Sequence, residues 1–348
     1  MRLAVDAMGG DHAPDAIVRG CIDALDILAP GDELILTGRE NDIREIMREC
    51  SVPADAPIRI IHADTVVEMH ESPVEAVRAK KDSSLVKMML LGAGRLDEPA
   101  ADVVISAGNT GACVSGGTMF MKRLPGVHRP GIACAIPSFH GPMVLCDVGA
   151  NPEPRAIHLA QYAVMAETYA KRVLGIQRPR VAQVNIGSEE GKGTDLIREV
   201  RELLRAIPDL NYIGYIEGRD LFEGAADVVV TDGFVGNTML KLAEGMAKSL
   251  FKAILHEILE KDPSLALQLE PILKDLFKRN DYHEYGGAPL LGVNGVCFIC
   301  HGSSEARTIR SAIRSAREYV QKGVNEAIIQ RIACLEPHES PQPAGGPA

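Results

Sequence analysis

Tryptophan is absent from this chain of 348 residues, and the aromatic content is only 4%. Proteins that bind single-stranded nucleic acid without sequence preference stack bases on aromatic side chains, and nucleic-acid binders in general present a positive surface to the phosphates. The net charge here is −10. The sequence therefore predicts no general nucleic-acid partner, although a local basic patch can still attract an acidic protein.

Long apolar runs and an export signal are also missing. No uninterrupted apolar stretch approaches the ~18 residues that suggest a membrane span. The start, MRLAVDAMGG, meets Asp6 too early for a signal peptide. The eight cysteines are scattered through apolar runs, as at Cys134 and Cys146, which is typical of reduced core cysteines. We therefore expect a cytoplasmic protein.

What the chain does have is a regular alternation of strand-like apolar runs and helix-like periodicity. This alternation predicts an α/β fold, a Rossmann-like, doubly wound three-layer α/β/α arrangement. Several strands near the middle follow one another without a helix, so the sheet should be mostly parallel or mixed. The predicted strands cover residues 3–6, 33–37, 58–62, 103–106, 131–136, 143–147, 181–186, 212–216, 228–231 and 295–299. The predicted helices cover residues 13–28, 40–49, 74–79, 85–91, 154–174, 194–206, 238–259 and 305–331.

A single α/β domain is predicted over residues 1–335. Within it, residues 246–278 carry two apolar stripes separated by Asp262-Pro263, which predicts a protruding helical hairpin. Its stripes could form a dimer contact or lie on a membrane surface. The tail, residues 336–348, is rich in proline and glycine and is predicted to be disordered.

Small polar residues directly follow several predicted strands. The stretches DVVISAGNTGA, MVLCDVGANPE and DVVVTDGFVGN pass from apolar runs into glycine and asparagine, at Asn109, Asn151 and Asn237. Ligands of a doubly wound sheet bind outside the carboxyl ends of its strands. Glycine there lets the backbone approach a ligand, and asparagine can donate to a carbonyl or phosphate oxygen. One such turn is more often a simple strand terminator, but several favour a binding site.

Two segments resemble familiar binding motifs but do not meet their requirements. NIGSEEGKGTD is one residue too short between Gly187 and Gly191 for a Walker A loop, and Gly193 separates Lys192 from the following threonine. Lys192 remains a candidate phosphate contact, or else a solvated loop residue. CFICH matches the haem-attachment pattern. In a strand, however, cysteines at that spacing point to opposite faces, so their thiols would not converge.

The strand that contains CFICH leads into HGSS instead. Ser303 and Ser304 are placed either to cap the following helix or to hold an anion at its start. His301 could contact phosphate or act as an acid or base, although a lone histidine is more often structural. DAMGGDHAP carries Asp6 and Asp11 around a diglycine, and these carboxylates could bind a metal or form the turn before a helix.

Seven segments carry a family resemblance when they are taken in order: DAMGGDHAP, SAGNTGA, DVGAN, NIGSEEGKG, YIEGRD, TDGFVGN and GGAPLLGVNG…HGSS. Together they resemble the bacterial phosphate acyltransferases of phospholipid synthesis, the acyl-acyl carrier protein:phosphate transacylases. The resemblance covers essentially residues 1–330. It implies a homodimer whose fold is related in architecture to the isocitrate and isopropylmalate dehydrogenases.

The resemblance also implies a reaction. Inorganic phosphate attacks the thioester of a long-chain acyl-acyl carrier protein, which gives acyl phosphate and free acyl carrier protein. A membrane glycerol-3-phosphate acyltransferase would then use the product for phosphatidic acid and phospholipid synthesis. No NAD, haem or other cofactor is implied, and no metal is expected. The implied location is the cytoplasm, with a possible peripheral place at the inner face of the cell membrane.

This chemistry needs phosphate to be bound and aimed, and the developing oxyanion to be stabilised. The candidate catalytic residues are Asn109, Lys192, Asn237 and His301. Phosphate binding is expected at Lys192, Ser303 and Ser304, with the two asparagines near the acyl carbonyl. Other polar residues of the matching motifs are Asp6, Asp11, Glu189, Arg219 and Asp232.

Two other functions stay open. A metal- and NAD-dependent decarboxylating dehydrogenase on the related fold would need clustered aspartates, for which Asp227 and Asp232 are candidates. A non-catalytic scaffold could instead link acyl carrier protein to the membrane, although the many polar turns argue against it.

Docking of an acidic carrier protein requires a local positive surface, and two are candidates. The first is the helix after HGSS, although its arginines would more often form a solvated helix face: Arg307, Arg310, Arg314 and Arg317. The second is the segment MKRLPGVHRP, with Lys122, Arg123, His128 and Arg129.

Overall fold

The computed structural model describes residues 1–138, 140–261, 265, 269–272 and 286–335. Its strands are β1 (Arg2–Asp6), β2 (Glu33–Gly38), β3 (Ile58–His62), β4 (Val103–Ser106), β5 (Gly131–Ser138), β6 (Gly141–Cys146), β7 (Val181–Val184), β8 (Tyr212–Ile216), β9 (Val228–Val230), β10 (Ala288–Leu291) and β11 (Val296–Ile299). Within the described residues they form one sheet of eleven strands, in the order β3-β2-β1-β4-β11-β10-β5-β6-β9-β7-β8.

Helices cover both faces of this sheet. They are α1 (Asp15–Asp23), α2 (Glu40–Glu49), α3 (Pro73–Ala79), α4 (Ser84–Gly92), α5 (Thr110–Gly116), α6 (Ala156–Arg172), α7 (Asp195–Ala206), α8 (Gly233–Lys261), α9 (Ala306–Gln321) and α10 (Val324–Ala333). A core on one face contains residues of α1, α2, α6, α7, α9 and α10, and a core on the other contains residues of α3, α4 and α5.

Strand β1 shows how the sequence produces the two cores. Leu3 and Val5 belong to the first core and Ala4 to the second, and all three are fully buried. Successive side chains of a strand point to opposite faces, so a strand covered on both sides is apolar throughout. The predicted α/β class, three layers and mixed sheet are therefore confirmed.

The sheet consists of two parallel blocks that run in opposite directions. The first block is β3, β2, β1, β4 and β11, and the second is β6, β9, β7 and β8. The antiparallel pairs β11–β10, β10–β5 and β5–β6 join them. The carboxyl ends of the two blocks therefore lie at opposite edges of the sheet, the first edge for the first block and the second edge for the second block. The polar turns that follow the strands are divided between these two edges.

Several element boundaries differ from prediction. Strand β10 and helix α5, with the π-helical turn Gly117–Met121 that continues it, were not predicted. Strand β10 has only four residues and lies between glycines, and α5 itself contains two glycines, so both sequences resemble loops. The helix predicted over residues 305–331 is two helices, because Gly323 has φ +59°, a left-handed conformation that ends α9. Helix α8 begins at Gly233 rather than at residue 238, so Asn237 is helical rather than part of a turn.

Helix α8 includes the first part of the predicted hairpin, as one helix of 29 residues. Leu242, Met246 and Leu250 recur at every fourth position and are 68%, 67% and 58% exposed. The rest of the hairpin, apart from residues 265 and 269–272, lies outside the described residues, as does the tail predicted to be disordered, residues 336–348. Among the helices described, none is both long and apolar enough to cross a membrane.

Candidate functional site

A cleft lies beside the antiparallel strands that join the two blocks of the sheet. Its volume is ≈ 450 Å³, within the range of about 300–1,000 Å³ that is typical of ligand sites. Helices α3 and α5 and the turns next to β5 and β6 form its lining: Val74, Arg78, Val114, Ser115, Thr118, Met119, Arg123, His128, Arg129, Pro130, Ala150 and Asn151. The cleft thus combines apolar side chains with several cationic ones.

A second cavity, of ≈ 520 Å³, adjoins the cleft. The two share Thr118, Arg123 and His128. The other lining residues of the second cavity are Lys122, Leu124, Gly126 and Val127. The basic segment 122–129 therefore contributes to the lining of both spaces.

The charge around both cavities is one-sided. Arg78, Arg123 and Arg129 line the cleft, and Lys122 lines the second cavity. Among the described residues that line the two spaces, none is aspartate or glutamate, and none of these four cations forms an ion pair with a described carboxylate. In a chain of net charge −10, this unpaired positive cluster is suited to binding an anion.

Asn109 fixes the helices of the α3–α5 side of the cleft. Its Oδ1 accepts a bond of 3.0 Å from the amide of Ala112 and caps α5. Its Nδ2 lies 3.2 Å from each of three carbonyl oxygens, those of Glu68, Met69 and Glu71. This loop leads into α3, which carries Arg78. The side chain of Asn109 is therefore occupied in holding backbone, and its predicted role as an oxyanion donor stays a prediction.

The basic segment is tied to the turn between β10 and β11. The amide of Asn294 donates to the carbonyl of Lys122 over 3.0 Å, and the amide of Leu124 donates to Gly292 over 2.9 Å. Lys122 itself has φ +73° at the end of the π-helical turn. A side-chain-bearing residue in that conformation is strained, and such strain is commonly found at functional sites.

Helix α6 supports the same segment from the other face of the sheet. Gln161, which is 4% exposed, accepts a bond of 2.9 Å from the amide of His128 and donates one of 2.8 Å to the carbonyl of Gly126. Asn151 donates over 2.7 Å to the carbonyl of Pro130 and over 2.6 Å to the hydroxyl of Tyr162. Buried amides thus set the positions of the loops that bear the cations.

Two buried titratable groups lie behind the cleft. Burial, with the nearby charges of Arg155 and Arg129, lowers the pKa of His158 to about 4, so this ring is neutral at pH 7. Burial raises the pKa of Asp147, against four backbone amides that donate to it. Two of them, the amides of Ala150 and Asn151, donate over 3.0 and 2.7 Å, which shapes the turn of residues 147–151.

Six predicted site residues come together at the first edge of the sheet, after β1, β4 and β11: Asp6, Asp11, Asn109, His301, Ser303 and Ser304. Burial raises the pKa of Asp6 against its hydrogen bonds, one of them from the hydroxyl of Ser106 over 2.8 Å. The amide of Asp11 donates to Gly302 over 2.7 Å. His301 Nδ1 lies 2.8 Å from Ser303 Oγ, and the buried hydroxyl of Ser304 meets no hydrogen-bond partner in the described chain.

The other five lie in the second block: Glu189, Lys192, Arg219, Asp232 and Asn237. Lys192 is exposed in a loop that Asn185 ties back, through a bond of 3.2 Å to the carbonyl of Lys192. Arg219 pairs with Glu217 over 3.0 Å. Asp232 accepts a bond of 2.8 Å from the amide of Val235 and so caps α8.

Asn237 is the member of this second group that approaches the cleft. Gly149, which has φ +136°, precedes the cleft residue Ala150. A Cβ atom at Gly149 would lie 3.7 Å from the amide nitrogen of Asn237. The side-chain amide of Asn237 therefore packs against the turn that follows β6.

The sequence indicated some residues of the cleft but not others. MKRLPGVHRP was singled out as a docking surface, and Asn151 was noted as a strand-end asparagine. Arg78 had no distinguishing feature, because it is an ordinary arginine of a short helix.

The metal site required by a dehydrogenase does not form from the proposed aspartates. Asp227 precedes β9 and Asp232 follows it, so the two lie at opposite ends of that strand. Asp227 is held by Arg180, whose Nη2 is 2.9 Å from its carboxylate. Within the part of the chain that is described, no group of three or more His, Cys, Asp or Glu residues is arranged to hold a metal ion.

Two of the four arginines of α9 form ion pairs with residues near α1 and β2. Arg310 pairs with Asp26 and Arg317 with Asp32, each over 2.8 Å. Arg317 is also only 13% exposed. This leaves the segment 122–129 as the more open of the two basic surfaces.

Comparison with known proteins gives a consistent result. The family model described as "Fatty acid synthesis protein" matches residues 1–327. The chain is 46% identical to a phosphate acyltransferase of Heliobacterium modesticaldum and 48% identical to one of Desulfitobacterium hafniense, in each case over 95% of this chain and 98% of the relative. A phosphotransacetylase of Streptococcus pyogenes has a similar fold, with a TM-score of 0.61 at 18% identity, over 92% of this chain and 94% of that one.

Proposed function

Since the chain belongs to the fatty acid synthesis protein family and is an acyltransferase that acts with phosphate, we propose that its acyl donor is a long-chain acyl-acyl carrier protein. The family expected from the seven motifs is confirmed. The product is acyl phosphate, which a membrane glycerol-3-phosphate acyltransferase would use for phosphatidic acid synthesis.

The cleft supports this proposal because it suits both ends of an acyl phosphate. Val74, Val114 and Met119 offer apolar surface to a fatty chain, and burial contributes about 0.8 kcal/mol per methylene. Arg123 and Arg129 offer unpaired charge to a phosphate. An apolar site bordered by cations with no described carboxylate is the single observation that carries the assignment.

The reaction requires little proton chemistry. A phosphate oxygen attacks the thioester carbonyl carbon, a C–O bond forms, and the C–S bond breaks. The carrier protein leaves as a thiolate, which takes a proton from water. Arginines that hold and aim phosphate supply proximity and charge stabilisation. The side-chain amide of Asn237, beside the turn of residues 147–151, is the proposed oxyanion donor.

Two positions compete for inorganic phosphate. The arginines of the cleft supply full positive charges, whereas the turn of residues 301–304 supplies hydroxyls, one histidine and the start of α9. Full charges bind phosphate more strongly than neutral donors do. We therefore place phosphate at the arginines and treat His301, Ser303 and Ser304 as a further anion contact at the first edge. Lys192 retains its proposed role as an outer phosphate contact.

The decisive experiment mixes the purified chain with acyl-acyl carrier protein and phosphate and traps acyl phosphate as the hydroxamate. Arg129→Gln should raise the KM for phosphate more than Ser303→Ala does. Arg95→Gln is the matched control, because Arg95 is an exposed arginine outside the cleft lining. Absence of hydroxamate with the wild-type chain would overturn the proposal. Hydride transfer to NAD with a divalent metal would favour the dehydrogenase.

The exposed apolar stripe of α8, formed by Leu242, Met246 and Leu250, is relevant to the oligomeric state of the protein. We propose that it contacts a second copy of the chain, since exposed leucines at helical spacing are typical of a helix–helix contact. Met246→Glu with Leu250→Glu should then lower the molar mass measured by ultracentrifugation. An unchanged mass together with loss of binding to anionic lipid vesicles would assign the stripe to a membrane surface instead.

A further inference from the structure

We propose that the second cavity binds the phosphate group of the arm that carries the donor's thioester. This inference rests on the proposed function, because a carrier protein holds its acyl group on a phosphopantetheine arm. Such a donor has three chemically distinct parts, which are an apolar chain, a reactive carbonyl and an anionic phosphodiester. The cleft accounts for the first two, and the adjoining cavity is suited to the third.

The lining of the two cavities differs in a way that supports this division. The cleft exposes Val74 and partly exposes Val114 and Met119. In the second cavity, Leu124 and Val127 are only 3% and 4% exposed. Its exposed side chains all carry nitrogen: Lys122, Arg123 and His128. The second cavity therefore offers donors and positive charge where the cleft also offers hydrocarbon.

The shared residues give the two spaces a common boundary. Thr118, Arg123 and His128 line both. A thioester at this boundary would place its acyl chain on one side and its arm on the other. Lys122 lines the second cavity but not the cleft. A substitution at Lys122 therefore tests binding of the arm and not of the acyl chain.

The backbone that bears Lys122 and the side chain of Arg123 are held in place before any ligand binds. The amide of Lys122 donates to the carbonyl of Gly117 over 3.0 Å, and its carbonyl accepts from Asn294 over 3.0 Å. The guanidinium of Arg123 donates to the carbonyl of His128. Preorganised groups lose less conformational freedom on binding and so contribute more to affinity. Lys122, which lines this cavity and not the cleft, is the cation that the proposal assigns to the phosphodiester.

The test compares donors that carry one acyl chain on different arms. These are acyl-acyl carrier protein, acyl-phosphopantetheine and acyl-pantetheine, which lacks the phosphate. Lys122→Gln should raise the KM about tenfold for the two donors that carry phosphate, the loss expected for one charge-assisted hydrogen bond. The KM for acyl-pantetheine and the KM for inorganic phosphate should stay unchanged. Lys122→Arg, which keeps the charge, should recover most of the loss.

The control is Lys81→Gln, because Lys81 is an exposed lysine that lines neither cavity. An equal rise in KM for acyl-pantetheine would overturn the inference, since the lysine would then act on another part of the donor. A raised KM for inorganic phosphate would assign the cavity to that substrate instead. Unchanged constants for every donor would show that the cavity binds neither. Failure of the proposed function is distinct, because the wild-type chain would then form no acyl phosphate from any donor.

Discussion

A substitution at Gln161 would test how the basic segment 122–129 is held in place. Its side chain makes one bond to the amide of His128 and another to the carbonyl of Gly126, at 2.9 and 2.8 Å. Methionine has a similar length and no hydrogen-bonding amide, so Gln161→Met removes both bonds and nearly preserves the packing. We expect this change to loosen residues 126–128 and to weaken phosphate binding.

The expected size follows from the two bonds. Each is worth about 0.5–1.5 kcal/mol net. His128 is exposed and Gly126 half-buried, so water can satisfy both freed groups and the loss of stability should stay near 1–2 kcal/mol. If about 2 kcal/mol of preference for the bound loop conformation is lost, the KM for phosphate rises by at most roughly 30-fold, because only the competent fraction binds.

The assay is the hydroxamate reaction at varied phosphate, together with urea unfolding. Gln183→Met is the matched control, since Gln183 is also a buried glutamine, 1% exposed, on the distant strand β7. Both variants should lose stability, but only Gln161→Met should show a raised KM. If Gln161→Met unfolds more easily and keeps the wild-type KM for phosphate, the glutamine is purely structural and the reasoning about the segment is wrong.

Three further predictions use other contacts. Asn109→Ala removes a helix cap and the two N–H donors that three carbonyl oxygens share, so it should cost about 1–2 kcal/mol in urea unfolding. It should also raise the KM for phosphate by displacing Arg78. An unchanged KM would show that phosphate binding does not depend on the position of α3. Burial alone would raise the pKa of Asp32, but the amino terminus, a backbone amide and Arg317 outweigh it and lower that pKa. The ionised carboxylate of Asp32 therefore stabilises the fold above its ordinary pKa of 3.8, and this stabilisation is lost as pH falls through the lower pKa of the folded state. The unfolding free energy of the wild type should then fall more steeply in this acid range than that of Asp32→Asn. Arg310→Glu should leave the KM for the carrier protein unchanged, because that arginine is already paired within the fold. A salt-dependent rise in this KM would indicate instead that the carrier protein docks on α9.

Local patterns were sufficient to predict most of the fold. The strand at residues 58–62 and the helix at residues 40–49 match the structure at both ends, because apolar periodicity and strand composition act over short distances. Strand β10 was missed because its four residues are too few to show a pattern, and α5 was missed because its two glycines lower the local preference for a helix. Their formation depends on contacts with the neighbouring strands and helices, which no short window of sequence contains.

The candidate site was harder to predict because it depends on strand direction. The polar turns after Ser106 and after Val230 are alike in sequence, and each follows a parallel strand. Whether they meet is decided by the strands between them. Three antiparallel pairs, an odd number, lie between them and send the two turns to opposite edges. No local feature of either turn indicates this.

The antiparallel pairing of β5 with β6 also explains the position of the cleft. An all-parallel sheet opens its binding crevice at the carboxyl ends of neighbouring strands. Here the antiparallel pair β5–β6 brings the start of β5, with Arg129 and Pro130, next to the end of β6, with Ala150 and Asn151. A basic loop and a polar turn therefore meet at one level of the sheet, facing α3 and α5. The chain places cations where a strand begins rather than where one ends, and this is why reasoning from strand ends alone found Asn151 and Asn237 but assigned Arg123 and Arg129 to docking only.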